Sequence, residues 1–287
     1  MKSFAWPDLN PAFLVMALAL LAGCQPGSPD IYDTRCGNLN SPAGVPEDRL
    51  LFSWKLESEK QDVMQSACQV LVADDLEKLN DHKGNFWNSG KVESDASIQV
   101  AYAGKQLASA KKYYWKVRIW DNGGTGSAWS EPDSFVTALL DPGDWEGSHW
   151  IVYEEMPDSL RLVPGIHALR NDLEDALGSR GRDRCVTPYF RKGFHVSKRV
   201  KNAFVAVSGL GHYELSLNGT KVGDSFLAPG WTRYDKTCLY NMYDVTDRLR
   251  QGENAIGAIV GSGFYHINNE RYKKLVISYG FPTLICK

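Results

Sequence analysis

The sequence predicts an all-β protein made of two consecutive β-sandwiches. Three observations carry that prediction: short runs in which apolar and polar residues alternate with period two, turn-forming residues between the runs, and no sustained helical period in either half. The 287 residues accommodate two domains of ordinary size. Hydrophobic residues at 43% and charged residues at 23% are globular proportions, which sets disorder aside. A formal net charge of −2 supplies no overall basic field, so nucleic acid is set aside as a partner.

In the first half, Leu50, Phe52 and Trp54 alternate with Leu51, Ser53 and Lys55. Ala67, Gln69, Leu71 and Ala73 alternate with Val70 and Val72, and residues 97–102 form a third run. Tyr113, Trp115, Val117 and Ile119 alternate with Tyr114, Lys116, Arg118 and Trp120. Such runs predict half-buried strands. Asp121-Asn122-Gly123-Gly124 is a turn signal, because several of its residues tolerate positive φ. Ser134-Phe135-Val136-Thr137 closes the set. The run Tyr114-Trp115-Lys116-Val117-Arg118-Ile119-Trp120-Asp121, followed by Trp129-Ser130-Glu131-Pro132, resembles the last hairpin of a fibronectin type III domain. That resemblance implies a fold and no function.

Residues 139–149, with Asp141-Pro142-Gly143-Asp144, read as a linker, and a new unit is expected from residue 150. Residues 154–184 read as an insertion, with a short helix expected at 169–177. From Pro188 the strand pattern resumes. Phe190, Lys192 and Phe194 alternate with Tyr189, Arg191 and Gly193, Val205 and Val207 with Phe204 and Ala206, and Tyr213, Leu215 and Leu217 share one side. Asn218-Gly219 predicts a hairpin turn, residues 244–249 one helical turn, and residues 255–260 another strand. Short strands with long ordered connections are the pattern of a jelly roll.

The N-terminus carries its own signal. Lys2 precedes an unbroken apolar run at 13–22, which is too short to span a bilayer as a lone helix and fits an export signal. Leu21-Ala22-Gly23-Cys24 resembles the lipobox of bacterial lipoproteins, which implies cleavage before Cys24 and a lipid on that residue. The expectation is a signal peptide at 1–24 and a tether at 25–30, on an exported lipoprotein of the periplasm or cell surface, held to the membrane by its lipid. The other cysteines, Cys36, Cys68, Cys185, Cys238 and Cys286, are scattered with no CxxC pair, so neither a zinc motif nor a redox motif is present.

The second half contains an ordered set of motifs: Ser208-Gly209-Leu210-Gly211-His212-Tyr213-Glu214, Leu217-Asn218-Gly219, Leu227-Ala228-Pro229-Gly230-Trp231-Thr232-Arg233-Tyr234-Asp235, Gly252-Glu253-Asn254, and Gly261-Ser262-Gly263-Phe264-Tyr265. Together they resemble the N-terminal jelly-roll domain of bacterial α-L-rhamnosidases of glycoside hydrolase family 78. This resemblance implies an incomplete jelly roll at 150–287, after the fibronectin-III-like domain expected at 31–138 from the first half. It also implies an inverting hydrolase acting on L-rhamnose-containing glycans, with catalytic carboxyl groups in an α/α barrel downstream. Glycoside hydrolysis needs two placed carboxyl groups. The adjacent acids Glu154 and Glu155 would point to opposite faces of a strand, so no catalytic residue is carried onto this chain. The expected role is accessory; a stand-alone carbohydrate-binding surface lipoprotein and a spacer without ligand are the alternatives.

Candidate site residues follow from side-chain chemistry. Trp231 and Tyr234 suit a sugar platform, because an aromatic face packs on the apolar face of a pyranose ring; a core-filling Trp231 is the competing reading. Asn218 serves either the turn or a ligand. Asp224 and Asp235, with Asp244 and Asn218, supply the hard oxygen ligands that calcium prefers, though at a spacing unlike an EF-hand; scattered surface acids are the competing reading.

Overall fold

The computed structural model describes residues 28–157, 161, 186–267 and 278–287. The expected signal with Cys24, the start of the tether, most of the 154–184 insertion and the helix expected at 169–177 lie outside the described residues. The chain divides after Val136 into two compact units, each a β-sandwich.

The first unit comprises β1 (Asp30–Cys36), β2 (Ala43–Val45), β3 (Leu51–Glu57), β4 (Gln65–Ala73), β5 (Trp87–Asn88), β6 (Val92–Glu93), β7 (Val100–Ala101), β8 (Lys112–Asp121) and β9 (Asp133–Thr137), with one short helix, α1 (Leu76–Asn80). One sheet runs β1-β3-β7, the other β2-β9-β8-β4-β5 with β6 also on β4. Period-two alternation places Phe52 and Trp54 of β3 against Tyr113, Trp115 and Val117 of β8, and all five are buried. The Phe52 ring lies 4.4 Å from that of Trp115, 5.9 Å from Phe135 and 6.1 Å from Trp87. Trp54 Nε1 donates to Gln65 Oε1 at 3.0 Å, and Gln65 Nε2 donates to the carbonyls of Ser94 and Ala96, so this buried polar pair is satisfied.

Two strand expectations change. β4 is buried on both faces, not half-buried: its outer residues Leu71 and Ala73 pack under Leu79 of α1, with Tyr114 and Trp129 against them. In the run expected at 97–102 only Val100 and Ala101 pair with β3. Gln99 takes a positive φ of 57° and donates its N–H to Ser53 Oγ, which breaks the ladder. The turn at residues 121–124 forms as expected, with Asp121 Oδ1 accepting from the N–H groups of Gly123 and Thr125.

The polar register of β8 forms a ladder of cations and indoles. Lys91 and Arg118 lie over Trp120, while Arg118 and Lys116 lie over Trp129. Lys116 is only 4% exposed and its Nζ is 2.7 Å from His82 Nδ1, so His82 accepts there as a neutral ring. Burial pushes the pKa of both groups down, and for His82 the charges of Lys116 and Arg118 push the same way.

The second unit comprises β10 (Ile151–Val152), β11 (Tyr189–Val196), β12 (Phe204–Leu210), β13 (His212–Leu217), β14 (Thr220–Lys221), β15 (Asn241–Asp244), β16 (Gly252–Gly261) and β17 (Thr283–Cys286). Its sheets run β10-β17-β12-β15 and β11-β16-β13-β14, so β17 has a neighbour on each side. Between them pack Val205, Val207, Tyr213, Leu215, Leu217, Val260 and Leu284. Asn218 and Gly219 both have positive φ, 52° and 83°, and close the β13–β14 hairpin between Leu217 and Thr220. The helical turn expected near residue 246 is the 3-10 turn Thr246–Arg248. Residues of the expected linker pack within this unit: the Leu139 N–H donates to Tyr240 Oη at 3.0 Å, and the Trp145 ring meets the Tyr240 ring edge-on.

Candidate functional site: an aromatic loop cluster

Two loops of the second unit, between β14 and β15 and after β16, gather aromatic side chains. The first is anchored where the Tyr213 N–H donates to the Ala228 carbonyl at 2.8 Å. It then turns at 233–237, where the Arg233 carbonyl accepts from the N–H groups of Lys236 and Thr237. The second turns at 262–266, where the Ser262 carbonyl accepts from Tyr265 and His266. The Tyr279 N–H returns to the Tyr265 carbonyl at 3.1 Å, and His266 Nδ1 lies 2.8 Å from Ser278 Oγ.

The rings meet in two tiers. Trp231 stacks on Phe264 with centroids 4.7 Å apart and planes 25° from parallel, while remaining 55% exposed. This is an apolar aromatic shelf facing solvent. Tyr265 and Tyr279 stack at 5.5 Å and 9°, and Tyr234 meets both edge-on at 5.3 and 5.7 Å. Tyr234 is 9% exposed, and its hydroxyl has no hydrogen-bond partner among the described residues. Burial pushes its pKa up to about 12, with Cys238, Tyr279 and Tyr265 adding to the rise. Burial raises Tyr265 and Tyr279 as well. All three therefore stay protonated at neutral pH, as neutral hydroxyls able to donate or accept.

The sequence-selected residues divide accordingly. Trp231 forms the shelf, and Tyr234 lies in the buried tier rather than on the surface. Asn218 is absent from the cluster: its Nδ2 donates to the Arg248 carbonyl and to Asn254 Oδ1, and its Oδ1 accepts from the Ala255 N–H, so it serves the turn. Asp235 is paired with Arg233 at 2.9 Å, Asp244 Oδ1 accepts from Thr246, and Asp224 is exposed. Among the described residues, no group of three His, Cys, Asp or Glu side chains stands together. Asp224, Asp235 and Asp244 thus form no such group. Sequence reasoning missed Phe264, Tyr265 and Tyr279 as partners of Trp231 and Tyr234, because ring pairing between loops leaves no periodic trace.

Two family profiles match the chain. Residues 31–141 match "Rha78A-like, N-terminal immunoglobulin domain", and residues 198–287, which hold the aromatic cluster, match "Alpha-L-rhamnosidase N-terminal domain". An α-L-rhamnosidase of Formosa agariphila is 39% identical over 250 residues, covering 85% of this chain and 26% of the relative. The chain is homologous to the N-terminal parts of α-L-rhamnosidases. It spans about a quarter of the length of the curated rhamnosidases that it matches. Among solved structures, the α-L-rhamnosidase from Dictyoglumus thermophilum aligns with a TM-score of 0.71 and 36% identity, covering 90% of this chain and 27% of that one. The α-L-rhamnosidase from Aspergillus terreus aligns with a TM-score of 0.67 and 26% identity, covering 90% and 27%. The first rhamnosidase N-terminal domain, expected as fibronectin-III-like, is matched as an immunoglobulin domain, a sandwich of the same two-sheet architecture.

Proposed function

We propose that this chain is the exported, non-catalytic front part of an α-L-rhamnosidase that removes terminal L-rhamnose from glycans or rhamnosides. The observation that carries this reading is the alignment with rhamnosidases along most of the chain but only a quarter of their length. The two carboxyl groups of glycoside hydrolysis then belong to the remaining three quarters. The purified 287-residue chain is expected to release no rhamnose from an aryl α-L-rhamnoside, and a polypeptide continued to the length of the relatives to release it. Release by the shorter chain overturns the assignment of a non-catalytic role.

In this reading Cys24 carries lipid and tethers the protein to a membrane. The support is the apolar run at 13–22, whose end joins Gly23-Cys24 to form Leu21-Ala22-Gly23-Cys24. The intact mass of the native protein reports both the lipid and the length of the polypeptide.

The Trp231–Phe264 shelf favours a second role, holding sugar directly. Because Trp231 is exposed, Trp231→Ala is expected to change stability by less than about 1 kcal/mol. If the shelf holds sugar, the same change weakens binding of a rhamnose-containing oligosaccharide by about tenfold, the equivalent of ~1.4 kcal/mol. Calorimetric titration measures this, and equal affinity in both proteins removes the shelf from sugar binding.

A further inference from the structure

The second unit carries a basic cleft away from the aromatic cluster. A space of about 620 Å³ is lined by Lys198, Arg199, Lys201 and Arg250, with Asp247 as the one carboxylate among the described residues of its wall. That volume is in the range of ligand pockets. Val196, Val200 and Leu249 supply its apolar part. Four cations to one acid stand out in a chain whose net charge is −2. Lys198 and Arg199 are exposed and make no ion pair among the described residues.

The two loops that form the cleft are tied together. The Ala203 N–H donates to Thr246 Oγ1 at 2.9 Å, the Val245 N–H to the Ala203 carbonyl at 2.9 Å, and Gln251 Nε2 to the Ser197 carbonyl at 3.3 Å. Arg250 is held by its Nε on the Glu253 carbonyl at 3.0 Å and by its backbone N–H on Asn254 Oδ1. The nearby acid Glu253 is itself engaged by His195 at 2.7 Å. A concave wall of one sign focuses the field inside it, and fixed loops reduce the ordering needed when an anion enters.

We propose that this cleft binds an acidic polysaccharide, its basic side chains taking carboxylate or sulfate groups while Val196, Val200 and Leu249 face the C–H surfaces of the sugar rings. The polysaccharide nature of the anion rests on the rhamnosidase reading; the anion preference rests on the cleft alone. A flat bilayer enters a concave site poorly, whereas a single polymer strand can lie along it.

The test is affinity electrophoresis of the full chain in gels containing polygalacturonate, with neutral dextran and with phosphatidylglycerol vesicles as separate arms. Polygalacturonate is expected to retard the chain, dextran not to, and about 0.5 M salt to abolish the retardation by screening. K198E/R199E is expected to weaken binding by about tenfold or more, and the neutralising pair K198S/R199S by less. Both variants alter exposed positions and should keep the parent melting temperature. Retardation that survives charge reversal, no retardation at all, or binding to vesicles alone overturns the proposal. Any of these outcomes leaves hydrolysis of a neutral aryl rhamnoside by the longer polypeptide untouched, so the two readings fail separately.

Discussion

Phe52→Ala is expected to cost the first unit about 3–5 kcal/mol, the range found when a buried phenylalanine is cut to alanine. Phe52 is fully buried, and its ring contacts those of Trp115, Phe135 and Trp87, so three aromatic side chains lose a shared neighbour. The strands bearing Phe52, Trp115 and Phe135 are held by ladders on both sides and cannot collapse fully into the space. Small domains have only about 5–15 kcal/mol in total, so this one change brings the unit to the edge of unfolding. Urea titration followed by tryptophan fluorescence measures the loss. Phe52→Leu keeps more of the volume and should cost clearly less. A loss below about 1 kcal/mol for the alanine variant would mean that the ring cluster does not carry the core.

Gly211→Ala is expected to disrupt the second unit to a similar degree by a different route. Gly211 links β12 to β13 with φ of 113°, outside the range open to a side-chain-bearing residue. An added Cβ would stand 2.1 Å from the Gly261 carbonyl oxygen and 3.2 Å from that of Ser262. Both obstacles are backbone, and Gly261 is the partner of His212 at the head of the β13–β16 ladder. Relief therefore requires that ladder to move, at an expected cost on the order of 3 kcal/mol or more. Gly219→Ala is the control: its φ is also positive, at 83°, but nothing lies within 4 Å of the new carbon. That variant should lose only about 1 kcal/mol. Thermal unfolding of the two proteins separates the effects, and equal melting temperatures would contradict the clash.

The contrast between these two glycines also marks where sequence reading works. Asn218-Gly219 was legible because the turn chemistry is local. Gly211 lies in a Gly-x-Gly pattern that occurs everywhere, and its necessity comes from Gly261, fifty residues away. The alternation through Phe52 and Trp54 was legible because one face of β3 meets the core and the other does not. β4 alternates just as well in sequence, yet α1 covers its second face, and five residues of helix leave too little periodicity to announce themselves. At the candidate site, Trp231 and Tyr234 could be chosen by side-chain type. Their separation into an exposed shelf and a buried tier depends on Phe264, Tyr265 and Tyr279, which reach them only through tertiary folding. The acids show the complementary limit: Asp235 pairs with Arg233 and Asp244 accepts from Thr246, partners that sequence proximity alone does not select.

The placement of β17 sets an order of events in time. Residues 283–286 pair with β12, formed some 75 positions earlier, and provide the sheet partner of β10, earlier still. A ribosome or an export channel delivers the chain from its N-terminus, so β10 and one edge of β12 wait, unzipped, until residue 286 emerges. The first unit has a long-range pairing of its own, β2 with β9, but it is completed earlier in synthesis, by Thr137. Long-range pairings of this kind slow folding and prolong the life of open strand edges. The second unit is therefore the late folder, and the stretch of synthesis between Thr137 and Cys286 is when a chaperone has the most to cover.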